Sequence, residues 1–511
     1  MEASSKPKSA SIDVESGDAP HSNLKNSGSS LNESPREIRS DTSLREANID
    51  PITEAAFLKR MDYRMVPLLF LLYMMSYLDR SNIGNAKIAG MSKDLHFSTD
   101  GNDYSWLLTI FYLAYILFEP FILLWRVIPA HILVPIMVSG WGLVATLQSA
   151  VNSWSALMAL RFLLGMFEAG VGPGIPLYLA YFYQRHEIGL RLGFILSAGP
   201  LATCFAGALA YGITSGHPSI ANWRLLLLVE GLPCFILAAV AWFYLPDSPA
   251  SAKFLRTEED QNIVSARGIR QVGAAEAGHH GKVGPIVWSE VGAGVLNPRN
   301  YITALMYFSC NVSFSSLPVF LPTIITEMGF SAIHAQGLSA PPYFIAVIFV
   351  LISTYFADRY GQRGIVICIS ALIGAAGYIV QATTTVTAIR YFGVYLAASG
   401  IYSAIINVIP WMINNHGTDT KRGAGLVIMG LVGQCGPVLG TRIYPANDEP
   451  YYRMGMWTCA SFMILVAVLS IALRTVLKWE NSKLDAKYGK LENGGGRVGM
   501  EAEGPNFRYV L

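Results

Sequence analysis

Apolar runs long enough to cross a bilayer recur along most of this chain. A run of about 20 apolar residues spans a hydrocarbon core ~30 Å thick as a helix, and lipid offers no partner for free backbone groups. The sequence therefore predicts an all-α membrane protein with twelve transmembrane helices at 64–82, 104–125, 131–150, 156–180, 188–214, 223–245, 300–325, 339–357, 364–383, 388–412, 422–443 and 453–476.

The composition supports a surface that faces lipid. Charged residues make up 14% of the 511 residues, whereas apolar residues make up 52%. A soluble protein carries about 25% charged residues, because its surface must be wetted. The formal net charge is +2, so no global field favours nucleic acid as a partner.

A polar, charged stretch in the middle divides the helices six and six. The predicted organisation is a disordered cytosolic tail, a six-helix bundle, a cytosolic linker, a second six-helix bundle and a cytosolic tail, at 1–56, 57–245, 246–298, 299–477 and 478–511. Weak symmetry between two halves is typical of secondary transporters, whose substrate sites lie between the halves near the membrane midplane.

Basic residues set the expected orientation. The linker and the C-terminal tail contain several Lys and Arg residues, and with the short loops they place both termini in the cytosol. We expect a monomer in the plasma membrane.

Charged residues stand out at the end of the first helix. A charge near the midplane of a bilayer costs about 2.5 to over 10 kcal/mol, so such residues usually face a cavity. Asp79 and Arg80 are followed by Asn82 in a polar, small-residue stretch. We interpret Arg80 as the group that binds a substrate carboxylate, Asp79 as a proton-exchanging group and Asn82 as a substrate contact. Alternatively, the charged pair locks a helix end at the membrane interface.

The fourth helix carries a second charged pair. Arg161 and Glu168 are seven residues apart, so they share one face about 10 Å apart along the axis. Each needs a partner elsewhere, which could be a substrate, a proton or helix 1. We interpret Glu168 as a proton-coupling group and Arg161 as a substrate contact; a packing carboxyl and a helix-start anchor are the alternatives.

Glycines accompany this pair. Gly165 and Gly172 lie on one stripe, which allows close helix approach or leaves room for a ligand. The Gly-Pro-Gly run at 172–174 can bend the helix.

The second half offers neutral polar groups. Asn311, Asn407 and Trp411 are candidate substrate-binding residues, although amides and aromatic rings in membrane helices also serve as packing groups. Between helices 8 and 9, Asp358, Arg359 and Arg363 form a short charged turn that suits a cytosolic gate, since Asp358 can pair in one state and be released in another.

The turn at 358–363 reads Asp-Arg-Tyr-Gly-Gln-Arg and resembles the loop signature of the major facilitator superfamily. The matching loop in the first half, at 124–129, lacks this signature. The stretches 77–87 and 161–170 resemble the helix 1 and helix 4 signatures of the anion:cation symporter family.

Three further stretches, 245–255, 307–322 and 341–343, are similar to the fungal members of that family, which include allantoate, nicotinate and pantothenate permeases. Fungal relatives usually read Glu-Val-Pro-Ser-Asn in helix 2, whereas 119–123 reads Glu-Pro-Phe-Ile-Leu and loses polar groups.

The resemblance implies a two-bundle major facilitator fold, alternating access and transport of an organic anion with protons. It implies that Arg80 meets the substrate carboxylate, that Asp79 and Glu168 handle protons, and that Arg161 supports them.

Three functions remain open at this point. The leading hypothesis is proton-coupled import of a small carboxylate such as a vitamin or ureide; the alternatives are a proton-driven metabolite exporter and a membrane sensor without flux. The sequence has no His cluster, nucleophile motif or Gly-rich phosphate loop, so we expect no enzyme, no metal and no cofactor.

Overall fold

The computed structural model describes residues 50–98, 102–184, 187–216, 219–272, 288–416, 419–490 and 507–511. Regular structure in these ranges is helical throughout. The long helices of the first half are α1 Pro51–Ser81, α2 Asn102–Phe118, α3 Ala130–Gln148, α4 Trp154–Ala169, α5 Ile188–Leu196 with Ala198–Thr214, and α6 Asn222–Tyr244. Those of the second half are α7 Pro298–Glu327, α8 Ala332–Tyr360, α9 Arg363–Thr383, α10 Thr387–Asn414, α11 Asp419–Gly433 with Cys435–Gly440, and α12 Arg453–Tyr488.

Short helices complete the chain. They are Ile83–Ala86, the π-helical Lys87–Met91 and Ser92–Asp94 after α1, the 3₁₀ turns Glu119–Arg126 and Ala446–Asp448, Gly174–Phe182 after α4, and Glu258–Val272 and Trp288–Val295 in the linker. The predicted N-terminal tail, 1–56, lies outside the described residues except for 50–56. Residues 273–287 of the linker also lie outside the described residues.

Eleven of the described helices are long and apolar enough to cross a membrane. Among the twelve long helices α1 to α12, only α1 does not meet this description. Its hydropathy is lowered by charged residues, which include Asp62, Arg64, Asp79 and Arg80. On the outer surface, large apolar side chains are exposed where lipid would cover them; on α6, Ile236 and Phe243 are examples. The predicted all-α architecture is confirmed.

Breaks in the helices fall where the sequence contains Pro and Gly. α4 ends at Ala169, and helix resumes at Gly174 after the predicted Gly-Pro-Gly bend. α2 changes to a 3₁₀ turn at Glu119, where Pro120 has no N–H to donate to the preceding turn. Both breaks place irregular backbone at membrane depth, which is tolerated when it borders a cavity or is buried in protein.

Two helix ends extend beyond the predicted spans. α1 begins at Pro51, where the Asp50 side chain caps the Ile52 N–H at 3.3 Å. α12 continues to Tyr488. These extensions are polar and lie outside the apolar runs, so hydropathy does not register them.

We call the side of the protein that contains Leu245 and Pro298 the linker face. There the linker helix Glu258–Val272 is tied to the first half, since Arg267 contacts Glu54 at 2.7 Å and Glu187 at 2.5 Å. The opposite side, where α5 ends and α6 begins, is the far face.

Candidate functional site

A cavity lies between the two halves. Its walls come from α1, α2, the segment after α4, α5, α7, α10 and α11, and its lining residues are Tyr73, Ser76, Tyr77, Arg80, Tyr112, Tyr115, Glu119, Gly172, Pro173, Pro176, Leu196, Tyr307, Asn311, Phe314, Ser315, Ile409, Leu426, Met429, Gly430, Gln434 and Pro437. The lining is mostly apolar and aromatic, with a few polar groups, as in typical small-molecule sites.

Arg80 and Glu168 meet at the edge of this cavity. The Arg80 Nη2 atom donates to Glu168 Oε2 at 2.7 Å, and the Ser76 hydroxyl donates to the same oxygen at 2.9 Å. Ser76 and Arg80 are four residues apart, so they project from one face of α1 toward α4. Glu168 is fully buried, whereas the Arg80 side chain remains 15% exposed and lines the cavity. Of the partners considered for Glu168, helix 1 is therefore the one observed, and this ion pair across two helices borders an opening.

Aromatic rings hold the Arg80 guanidinium in place. Its Cζ lies 5.7 Å from the ring centroid of Tyr77, 5.2 Å from that of Phe111 and 5.0 Å from that of Tyr115. Cation–π contacts at such distances are each worth about 0.5–2 kcal/mol, and more where water is excluded. Within the described part of the chain, Arg80 Nε has no hydrogen-bond partner.

The two glycines of the α4 stripe have different roles. A Cβ on Gly165 would overlap the backbone carbonyl of Phe111, so this glycine allows close approach of α4 and α2. Gly172 lines the cavity, and a Cβ there would lie 2.9 Å from the Tyr115 hydroxyl. Gly165 therefore permits close helix packing, and Gly172 borders the cavity.

Asp79 and Arg161 lie deeper in the first half. The Cys234 thiol is 3.7 Å from Asp79 Oδ2, and Asp79, Glu168 and Arg161 lie within electrostatic range of one another. Arg161 is buried, and its Nε and Nη2 atoms lack partners among the described residues. Neither residue lines the cavity.

The four neutral residues predicted to contact the substrate lie in three different places. Asn311 lines the cavity and donates to the Gly433 carbonyl at 3.2 Å. Asn82 is buried beside Asn85, whose amide donates to it at 2.7 Å. Asn407 and Trp411 lie toward the linker face, and the Trp411 indole donates to the Val510 carbonyl at 2.8 Å.

The predicted gate residues pack against the first half. Asp358 and Arg363 form an ion pair, and Asn407 accepts a hydrogen bond from Arg363 at 3.3 Å. A side chain on Gly189 of α5 would collide with both members of the pair. Arg359 is exposed and makes no described contact with them.

The halves also touch at the far face. The Tyr104 hydroxyl of α2 donates to the Val319 carbonyl of α7 at 3.0 Å, and the hydroxyls of Thr109 and Thr441 are 2.9 Å apart. The cavity measures about 50 Å³. Roughly 150 Å³ is the size that admits benzene, so an organic ligand needs the halves to move apart.

Several lining residues were not chosen from the sequence. Ser76 was detectable in principle, because it lies one helical turn before Arg80 on the same face. Glu119 was also detectable, because it is a charged residue within an apolar run. The α11 residues Met429, Gly430 and Gln434 gave no signal, because they are uncharged and occur in an ordinary apolar run. In the described ranges, no cluster of His, Cys, Asp and Glu could hold a metal.

Comparison with known proteins decides the family. The Major Facilitator Superfamily profile matches residues 69–441. The chain belongs to the Major Facilitator Superfamily. It is a multi-pass membrane transporter rather than an enzyme, and the predicted major facilitator fold is confirmed.

Two relatives of this transporter come from fungi. It is 33% identical to the MFS transporter prlL of a Fungal sp., over 86% of this chain and 89% of the relative. It is 30% identical to the high-affinity nicotinic acid transporter of Saccharomyces cerevisiae, over 89% and 85% of the two chains.

Solved structures support the same fold. A bacterial homologue of the human lysosomal transporter Spinster, inward-facing and unoccupied, aligns with a TM-score of 0.59 at 15% identity, over 81% of this chain and 97% of that chain. The xylose transporter XylE of E. coli, in a partially occluded inward-open state, aligns with a TM-score of 0.59 at 12% identity, over 80% and 97%.

Proposed function

We propose that this transporter imports a small organic carboxylate together with protons by alternating access. The observation that carries the proposal is Arg80, a largely buried arginine at the cavity between the halves, bound to Glu168 on one side and facing the cavity on the other. Planar guanidinium groups bind carboxylates through charge-assisted, often two-point, hydrogen bonds.

Charge balance suggests how a proton accompanies the anion. In the empty site, Arg80 and Glu168 neutralise each other. A substrate carboxylate that binds Arg80 adds a negative charge, which is costly at membrane depth. Protonation of Glu168 restores neutrality, so the loaded and the empty site carry the same charge across the membrane. Asp79 lies close enough to Glu168 to take part in proton exchange, and the Arg161 cation lies close enough to both carboxyl groups to stabilise their negative charge.

The Asp358–Arg363 pair supplies a candidate gate. It contacts α5 at Gly189, so it holds the linker face closed while it remains intact. We propose that the linker face is cytosolic, that Arg359 adds to the gate's positive field, and that substrate release requires this pair to leave Gly189.

The relatives support the substrate class. One is named a high-affinity nicotinic acid transporter, and nicotinic acid is a small carboxylate. We further propose that the chain belongs to the anion:cation symporter branch and functions as a monomer in the plasma membrane, with Asn82, Asn407 and Trp411 contributing to the binding site once the halves move.

Reconstituted vesicles test the proposal. Labelled monocarboxylates are offered with an inwardly directed proton gradient, with and without an uncoupler. We expect accumulation that disappears when the gradient collapses. Accumulation that is indifferent to the uncoupler would refute proton coupling, and movement only from the opposite side would favour export.

A further inference from the structure

Glu119 is a carboxyl group in the cavity wall, separate from the Arg80–Glu168 pair. It lies where α2 ends and the 3₁₀ turn Glu119–Arg126 begins. Its side chain is fully buried and points across the interface toward α11, where a Cβ on Gly430 would overlap its Oε1 atom. The absence of a side chain at 430 therefore leaves the space that this carboxyl group occupies between the halves.

Neither oxygen of Glu119 has a hydrogen-bond partner among the described residues. This distinguishes it from Glu168, which is bound by both Arg80 and Ser76. A buried polar group without a partner costs free energy, and an unpaired buried charge costs more. At a cavity wall, a hydrogen-bond donor that enters with the substrate can supply the partner that Glu119 lacks.

The position of Glu119 relative to Arg80 defines a site with two unlike ends. The Arg80 guanidinium lies over the Tyr115 ring at 5.0 Å, and Glu119 follows Tyr115 by four residues, about 6 Å farther along the helix axis. Between and around them the lining is aromatic, with Tyr73, Tyr307 and others. A flat molecule placed along this wall would meet a cation at one end and a hydrogen-bond acceptor at the other.

We propose that Glu119 is a specificity-determining residue that accepts a hydrogen bond from an N–H group of the substrate. The substrate class is then a planar acid that carries a carboxylate at one end and a hydrogen-bond-donating nitrogen at the other. This inference rests on the proposed function, because it assumes that the carboxylate binds Arg80. It adds that acids lacking the donor bind less tightly, since they leave Glu119 without a partner.

A matched pair of ring acids tests the donor requirement. Pyrrole-3-carboxylate has a ring N–H, and furan-3-carboxylate has the same shape with an oxygen in its place. Dissociation constants are measured on the full chain in vesicles at one pH. We expect the pyrrole acid to bind about tenfold or more tightly, because a buried acceptor that gains a hydrogen bond recovers about that factor.

Variants assign the preference to Glu119. Glu119→Leu should weaken binding of the pyrrole acid and leave that of the furan acid unchanged, so that the ratio falls to about one. Glu119→Gln keeps the shape and one acceptor oxygen, and it should show an intermediate ratio, which guards against misfolding of the leucine variant. Glu230→Gln removes another buried carboxyl, in α6 and outside the cavity lining, and should leave the ratio unchanged.

The outcomes separate this inference from the function beneath it. If neither acid binds, and Arg80→Lys has no effect on any transported anion, the proposed function fails. If both acids bind equally, or if the preference survives in Glu119→Leu, the inference is overturned while carboxylate transport stands.

Discussion

Arg80 combines three contacts that few side chains could satisfy together. It forms an ion pair with Glu168 at 2.7 Å, its guanidinium lies over three aromatic rings, and it still lines a cavity. A planar, delocalised cation can stack on rings and donate from its edge at once, whereas a lysine ammonium is a point charge on a flexible stem. The chemistry at this position therefore depends on the shape of the group as well as on its charge.

Arg80→Lys is expected to reduce substrate affinity by about tenfold or more. Lysine retains the charge but loses the two-point contact with a carboxylate and the stacking on Tyr115, and charge-assisted hydrogen bonds are worth about 1.5–3 kcal/mol each. The dissociation constant of the transported acid in vesicles measures this. Arg453→Lys, at an exposed site on α12, is the matched control and should leave affinity unchanged. Normal affinity in Arg80→Lys would argue against carboxylate binding at this residue.

Glu168→Gln is expected to separate transport from the proton gradient. The amide cannot take up a proton when the substrate binds, so uptake should no longer rise as the outer pH is lowered. Counterflow between equal pH values should persist, because Arg80 remains. Ser76→Ala removes one hydrogen bond to the carboxylate but leaves it titratable, so its uptake should still depend on pH. A Glu168→Gln protein with the wild-type pH profile would place the coupling proton elsewhere.

The sequence predicted the charged core of the site but only part of its wall. Arg80 and Glu168 are conspicuous because an ionised group in an apolar run is costly, and the structure joins them. That Glu119 reaches the cavity depends on how closely α2 and α11 approach, and Gly430 and Gln434 are neutral. No periodicity in one chain encodes which neutral residues of a distant helix will face a given carboxyl.

At the scale of elements, hydropathy located the helices well and their ends less well. The span 188–214 agrees with α5, and the bend after Ala169 lies where the Gly-Pro-Gly run predicts it. α8 begins at Ala332, ahead of the predicted 339: His334 and Gln336 interrupt the apolar run in its first turns, and the Ser331 side chain caps the His334 N–H. Capping and polar helix extensions are specified by local hydrogen bonds, which an average over apolar residues does not detect.

Gly165→Ala tests how closely α4 and α2 must pack. The new methyl group would overlap the Phe111 carbonyl, so the helices must separate, at a cost typical of overpacking, about 1–3 kcal/mol. We expect a lower melting temperature and reduced transport, since Phe111 and Tyr115 on α2 support Arg80. Gly212→Ala, on α5 where a Cβ meets open space, is the matched control and should be neutral or slightly stabilising. Equal melting temperatures for the two variants would show that the packing tolerates the added methyl.

At the scale of the whole molecule, residues 507–511 bind the second half at the linker face. The Asn481 side chain makes two hydrogen bonds with the Tyr509 backbone, at 2.9 and 2.8 Å, and the Gly364 N–H donates to the Leu511 carbonyl at 3.2 Å. This segment therefore connects the first turn of α9 with the polar extension of α12. Because Gly364 follows Arg363, the segment also adjoins the proposed gate.

Deletion of 507–511 is expected to lower the melting temperature of the transporter, since these hydrogen bonds and the burial of Phe507 and Val510 are lost. A double-mutant cycle identifies the cause. Asn481→Ala should destabilise the full chain by about 1 kcal/mol, the typical net value of a hydrogen bond, but should have little effect in the truncated chain, where its partner is gone. Equal effects of Asn481→Ala in both chains would mean that the segment does not bind α12 in the membrane.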